Sequence, residues 1–599
     1  MKWKVLLIVF LVTKLAIAQL SVSGNNYIYA TTSVDASDVY LFVEDDVNLE
    51  NSNSYLYLRN DAQLLQGAGT TGNSGVGQLS AYQNGTTHNF AYNYWCSPVG
   101  NTDTDDIINR AFRPNNNIYD VTSTPITSSL ATYTSSFDGT SSPLVISSPW
   151  LYTFSPGSTY SEWDYIGDTG TVTTGYGFSM KGTSGSSNNQ LYDYRGKPNN
   201  GTITTNVLNG DWTLVGNPYP SALDALNYIH DTQNQTSING SLYYWEQDLT
   251  VNSHNVADYL GGYASYTITS DGATETYLDA TFDTYNSDGS LNTTGGARTS
   301  SKTARRYIPI GQGFMVIGTA NSTARTQNSH RQYYKQSDTD SEFFRIGDPN
   351  KKKHVNNSNS EIVYDANGLQ ILPNTYKRFR LNIDFNNVYT RQVLQNFHHS
   401  ATDGFDYGLE IESPEGVDSD AHWVLNDKPF IAQAFKFDES LKIPLVINLD
   451  SQQLIRFRIF DIQNFNANQT IYLHDIETDT YIDLTKQNYE VNLEVGNYAN
   501  RFEITFVNNL LESPESKLEQ LVVFQNNQES QLTISNPNSL NINEVVLYDV
   551  SGKQIFHHKD FTINTKHEFS TSGLSSGVYL VSVKINKSTI NKKVVINNR

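Results

Sequence analysis

The chain has a single cysteine, Cys96, among 599 residues. No internal disulfide can form and no cysteine-based metal cluster can be built, so the domains must rely on core size or bound ions. Positive charge is scarce as well: 40 Lys and Arg stand against 61 Asp and Glu, a formal net charge of -21. That balance repels phosphates and excludes nucleic acid as a partner. Charged residues make up only 17% of the chain, so Asn, Ser, Thr and Gln must supply most of the polar surface. Beyond the first residues no apolar run approaches the roughly 20 residues a membrane-spanning helix needs, and no transmembrane anchor is expected. The signatures of common enzyme chemistries are missing too. There is no G-x-S-x-G elbow and no H-E-x-x-H zinc site, and the Gly67 to Gly77 stretch lacks the G-K-[ST] end of a phosphate loop. The expectation is a protein with no catalytic activity and no cofactor, calcium being the one ion that the acidic residues leave open.

What is present at the start reads as an address. Lys2 and Lys4 precede an apolar core from Val5 to Val12, and Ala16-Ile17-Ala18 supplies a small-x-small cleavage pattern before Gln19. Residues 1–18 are expected to be a secretory signal peptide, with the mature chain working outside the cytoplasm.

At ~150 residues per domain, the length suggests about four domains. With 38 Tyr, 27 Phe and frequent Gly, Asn and Asp turns, the chain reads as all-β, several β-sandwich domains in tandem. Residues 19–93 form a β-rich N-terminal region. There VYLFVEDDVNLEN (Val39 to Asn51) looks like a relative of SYLYLRNDAQLLQ (Ser54 to Gln66), a hint of stacked β-coils. Residues 94–350 read as a large β-domain with long loops, in which only Pro220 to Ile229 looks helical. A linker at 351–360, with Lys351 to Lys353 as a solvated turn, leads to a β-sandwich at 361–509. Its segments RFRLNIDF (Arg378 to Phe385), LIRFRIF (Leu454 to Phe460) and RFEITF (Arg501 to Phe506) alternate as half-buried strands do. After a linker at 510–517 carrying Pro514, the module 518–599 alternates cleanly, with a hairpin turn at Ser551-Gly552. From Lys517 to Arg599 nine Lys or Arg face six Asp or Glu, so this stretch is net basic on an acidic chain.

Candidate chemistry is thin. Cys96 with His88 would make a thiol–imidazole pair, but a buried apolar cysteine fits WCSP better. His398-His399 and His557-His558 are adjacent pairs that, on a strand, point to opposite faces and cannot share an ion. Close carboxylate sets occur at Asp103, Asp105 and Asp106, at Asp338 and Asp340, and at Asp403 and Asp406. None meets the EF-hand spacing. Asp403 and Asp406 are the leading calcium candidates. Trp95, Trp150, Trp163, Trp212, Trp245 and Trp423 are candidates for stacking on sugar rings, against the alternative that they anchor cores and loops.

The terminal module resembles the type A sorting domain of the type IX secretion system of Gram-negative bacteria. The resemblance rests on VVLYDVSGKQIF (Val545 to Phe556), LSSGVYLVSVKI (Leu574 to Ile585) and KKVVI (Lys592 to Ile596). The family's usual Tyr-Pro-Asn-Pro opening is replaced here by Val523-Phe524-Gln525-Asn526-Asn527. The resemblance implies an immunoglobulin-like sandwich read by the outer-membrane translocon. It also implies removal of that sandwich by a sortase, and release of the cargo or its attachment to surface lipopolysaccharide. Gly552 and Gly577 suit positive-φ turns in such a module. The preceding segments WCSPVG, LVGNPYPSALDA, IPIGQGFMV and IYLHDIETDTYIDL are similar to pieces of large bacterial surface proteins.

These readings converge on a secreted or surface-attached structural or adhesive protein. The alternative is a carbohydrate-binding surface protein that contacts extracellular glycans, and less so a glycoside hydrolase whose paired acids spacing does not reveal.

Overall fold

Short alternating segments with Gly, Asn and Asp punctuation leave little room for helix, and the computed structural model of the chain is strand almost throughout. It describes residues 19–598 except 32–39, 68, 70, 123–124, 187–188, 249–251, 256–257, 259–260, 282–303, 334–340, 342, 345–361, 366–368, 415–416, 509–520, 538, 560 and 586–587. The expected signal peptide and both linkers lie outside the described residues, as do Asp338 and Asp340. The chain divides into two compact units, Met1–Thr505 and Phe506–Arg599. No helix among the described residues is long and apolar enough to cross a membrane.

The first unit opens with parallel pairing. Strands β1 (Leu20–Val22), β2 (Tyr27–Thr31) and β3 (Tyr40–Val43) are followed by β4 (Val47–Leu49), β5 (Tyr55–Arg59) and β6 (Gln63–Gln66). β4 stacks on β1, β5 on β2 and β6 on β3, and β7 (Gln78–Thr86) continues parallel to β5. The result is a short three-faced β-solenoid. Stacked coils are therefore present, but with a longer repeat than the two related segments suggest. Their likeness matches β3 with β5, whereas the structure stacks Tyr40 on Gln63 and Tyr27 on Tyr55. Every face presents the same short apolar alternation, so the pattern alone does not fix which strands stack. Asn60, at φ 53, turns the chain between β5 and β6 in the left-handed region that Asn tolerates.

β7 then leaves the stack and pairs antiparallel with the strand Asn189–Pro198, which carries the sheet on to Ile118–Val121 and Ser128–Leu130. Fully buried Trp95 anchors this region, its ring centroid 4.3 Å from Phe343, 5.3 Å from Tyr192 and 5.7 Å from Tyr194. A five-stranded antiparallel sheet follows, in the order Trp212–Gly216, Gly313–Ile317, Leu242–Gln247, Gly261–Ile268, Glu275–Leu278. In the stretch expected to be helical, only Ala225–Ile229 is. Ala222–Asp224 is a strand paired on both sides, and Asp224 caps the helix by accepting from the Leu226 N–H at 3.0 Å.

Residues 377–505 form one long sheet that folds over itself. Phe457 and Phe502 stand far apart in strand order, yet their ring centroids lie 5.1 Å apart. The strand Lys377–Phe385 departs from the half-buried reading. Phe379, Leu381, Ile383 and Phe385 fill the core, but Arg378, Arg380, Asn382 and Asp384 on the opposite face are buried too. Arg378 donates to the Glu275 carbonyl at 3.0 Å and Arg380 to the Tyr277 carbonyl at 2.9 Å. Arg458 grips Asp384 through two hydrogen bonds of 2.8 and 3.1 Å. A polar face needs hydrogen-bond partners rather than water as such, and here the partners are protein. This contact welds the sandwich to the five-stranded sheet within one unit.

The second unit is a seven-stranded antiparallel sandwich. Val522–Asn526, Gln531–Ser535 and Lys566–Ser570 make one sheet, and Gln554–Lys559, Ile542–Asp549, Gly577–Ile585 and Ser588–Ile596 make the other. Leu532, Ile534, Val545, Leu547, Val581, Val583 and Ile596 fill the space between them, which matches the immunoglobulin-like architecture expected. At the hairpin Gly552 has φ +84, and the Asp549 carboxylate accepts from the Ser551 N–H at 2.8 Å. Gly577 is not in a turn: it begins the strand Gly577–Ile585 and lies outside the left-handed region.

Candidate functional site

Cys96 is fully buried, and burial pushes its thiol far above its usual pKa. A nucleophilic cysteine needs the opposite shift. His398 and His399 lie just beyond the strand Tyr389–Phe397 rather than on it, with ring centroids 3.9 Å apart, and His398 stacks on Tyr376. His557 and His558 do sit on a strand, where His557 meets Glu544 at 2.5 Å and His558 packs on Phe569.

The carboxylate sets are held by protein donors. Asp106 accepts from Lys197 Nζ at 2.9 Å and Arg110 Nη1 at 3.0 Å, and Asp105 from the Gly75 N–H at 2.6 Å. The hydrogen bond from Lys197 holds the Asp106 carboxyl below the usual range. Asp403 is exposed in its turn, while Asp406 accepts from the Thr402 N–H at 2.7 Å and its hydroxyl at 3.0 Å. Behind them lies buried Glu410, which accepts from the N–H groups of Asp406 at 2.9 Å and Ala434 at 3.2 Å. Burial pushes it up to about 8. Among the described residues no group of three or more His, Cys, Asp or Glu is placed to hold a metal ion.

The tryptophans part into three groups. Trp95 and Trp423 are fully buried and belong to the core. Trp150 covers Lys181, whose Nζ lies 3.5 Å from the ring centroid. Lys181 Nζ is 3.1 Å from His254 Nδ1, and His254 Nε2 is 3.0 Å from Asp138 Oδ1, so the amine is tied through the imidazole to an exposed carboxylate. Burial pulls Lys181 down to about 7, but at 3% exposure the amine braces three chain segments rather than meeting a substrate. Sequence spacing gives no sign of this constellation, because its members come from separate loops and strands.

Trp163, Trp212 and Trp245 form the third group, and with Tyr263 they make an aromatic row. All four are half-buried and pack their inner sides on Tyr94, Leu214, Tyr243 and Met315. Tyr263 stands directly across from Trp245 on the neighbouring strand, with ring centroids 5.4 Å apart. It lies 4.9 Å from Trp212, and its hydroxyl is 3.1 Å from that of Tyr94, which packs on Trp163 at 5.8 Å. Gly261 makes room: a Cβ there would fall 2.5 Å from the Trp245 ring. Half-buried rings held rigidly on a sheet can offer one face to a flat, weakly polar ligand. Tyr263 joins the row only through the pairing of its strand with that of Trp245, which local spacing does not carry.

The outer side of the four-stranded sheet in the C-terminal sandwich carries exposed Leu580 and Val595 beside Lys593, which pairs with Leu580 in register. These belong to the segments that carry the sorting-domain resemblance.

Comparison with known proteins agrees with the two compact units. The family model of a domain of unknown function (DUF8693) matches residues 16–506. That of a secretion system C-terminal sorting domain matches residues 522–597. No curated protein matches the chain. Among solved structures, a biofilm associated protein (BSP domain) shows 9% identity over 75% of this chain and 87% of its own, with a TM-score of 0.11. The C-terminal match makes the chain cargo of the type IX secretion system, delivered to the cell surface or the extracellular space.

Proposed function

We propose that this chain, which belongs to the DUF8693 family, is a non-enzymatic structural or adhesive protein of the cell surface. The observation that carries this reading is the build of the exported body. A solenoid, a five-stranded sheet and a folded-over sandwich belong to one compact unit, in which buried Arg331 donates to the solenoid's Leu64 carbonyl and Arg378 and Arg380 tie the sandwich to the five-stranded sheet. Such a body keeps its surface in one fixed shape, as a coat or attachment element requires. On this reading the C-terminal sandwich is removed once it has been used, and the body is released or joined to surface lipopolysaccharide. Loss of the body should reduce attachment of cells to surfaces while leaving export of other cargo unchanged. Attachment equal to that of the parent strain would sink the adhesive reading.

The aromatic row favours a second reading, binding of extracellular glycans through Trp163, Trp212, Trp245 and Tyr263. A glycan array probed with the exported protein tests it. Sugar–ring stacking is lost on truncation, so Trp212→Ala and Trp245→Ala should each abolish retention on the responding glycan. Retention that survives both removes the row from consideration.

A further inference from the structure

The first coil of the solenoid differs from the second in what it leaves open. The inward residues of the second coil are sealed: Val47, Leu49, Leu56, Leu58 and Leu64 are at most 2% exposed. Of their partners one coil earlier, Val22 is buried at 5% exposure, whereas Leu20, Ile28, Ala30 and Leu41 point into the same core but are only partly buried. Outward-facing Tyr27, Tyr29 and Phe42 of that coil are 56%, 39% and 54% exposed. Among the described residues, β2 ends its sheet, with β5 on one side and no strand on the other. A solenoid end is ordinarily closed by a polar cap, and exposed strand edges are ordinarily guarded by lysine, proline or a bulge. Here the three strands LSV, YIYAT and YLFV contain none of these and no Asp, Glu, Lys or Arg.

We infer that this end is a docking surface for the same end of a second copy of the chain. Two properties select a copy over another partner. The open cross-section is a three-faced coil, and an identical coil matches its outline and strand spacing by construction. The chain carries a net charge of -21, and the three strands free of charged side chains are where two such acidic bodies meet with least repulsion. A two-fold axis through the middle of β2 would pair β2 antiparallel with its mate. With Tyr29 on the axis, Ile28 faces Ala30 of the copy, which extends the apolar core across the junction.

Sedimentation of the exported protein over a dilution series should show a reversible dimer. Tyr29→Lys, on the outward side of the strand, places like charges opposite one another and should return the protein to monomer, with the melting temperature the parent shows at dilutions where it too is monomeric. Tyr29→Cys should form an interchain disulfide under mild oxidation, because facing antiparallel residues have Cα atoms about 4.5–5.5 Å apart, within disulfide reach. The same change at Tyr160, 66% exposed elsewhere, is the control. A monomer at every concentration overturns the inference, whether the end is covered by other residues of the chain or by a different protein. So does a dimer that Tyr29→Lys leaves intact, or a Tyr29→Cys protein that cross-links no faster than Tyr160→Cys.

Discussion

The body and the C-terminal sandwich are both β-proteins without disulfides, yet their interiors are chemically different. The sandwich is filled by apolar side chains, aliphatic but for Phe569 and Tyr579 among the buried ones, and its buried polar residues among those described are Thr533, Asn536 and Thr571. The body buries Arg59, Arg195, Arg331, Arg378, Arg391 and Arg458, with carboxylates and carbonyls to match. Burial pulls Arg378 down to about 9 and Arg331 to about 10, which shows how far from water these cations are held. A dry apolar core is tolerant and specifies little beyond its alternation. A core of buried cations is intolerant of losing a hydrogen-bond partner and fixes one arrangement of its elements, as the bonds from Arg378 and Arg380 to the Glu275 and Tyr277 carbonyls do here.

The largest effect should follow from breaking a buried pair in the body. Arg391 holds Asp420 through hydrogen bonds of 2.6 and 2.8 Å, both side chains at most 8% exposed. Arg391→Ala should destabilise the body by about 3–5 kcal/mol, read as a lower denaturant midpoint. Next comes Leu547→Ala in the sandwich, with an expected cost of about 2–5 kcal/mol. Hydrogen exchange should show faster opening in the strands Ile542–Asp549 and Gly577–Ile585, with the body's protection retained.

Acid should separate the two regions. Burial pushes Asp475 and Asp231 up, but hydrogen bonds from Arg501 and Arg325 outweigh it and hold both carboxyls below the usual range. Their folded pKa is thus below the unfolded one. The stability they add is present above the unfolded carboxylate range and is lost as pH falls through the folded value. Amide protection in the body should therefore fall between neutral pH and about pH 3 more than in the sandwich. Equal losses would break the comparison. The smallest effect belongs to the exposed Lys428–Glu412 pair, where Lys428→Ala should change stability by less than about 1 kcal/mol.

The same difference explains what could be read beforehand. In GVYLVSVKI the inward residues Tyr579, Val581, Val583 and Ile585 are buried and Leu580 and Lys584 are exposed, so alternation alone places the strand in a sandwich. RFRLNIDF alternates as cleanly, but its polar face meets Glu275 and Tyr277 instead of solvent, and nothing local distinguishes the two cases. The aromatic row escaped for a related reason. Trp163, Trp212, Trp245 and Tyr263 are brought together by sheet order, which no single segment encodes. The carboxylate sets were visible as clusters, but their donors, Lys197 and Gly75 for one and Thr402 for another, emerge only from the fold.

The most direct test of the account concerns the route out of the cell. With residues 518–599 deleted, the body should accumulate in the periplasm as a folded protein, and fusing those residues to an unrelated secreted protein should carry it to the surface. Surface display of the truncated body at the normal level would contradict the role assigned to the C-terminal sandwich.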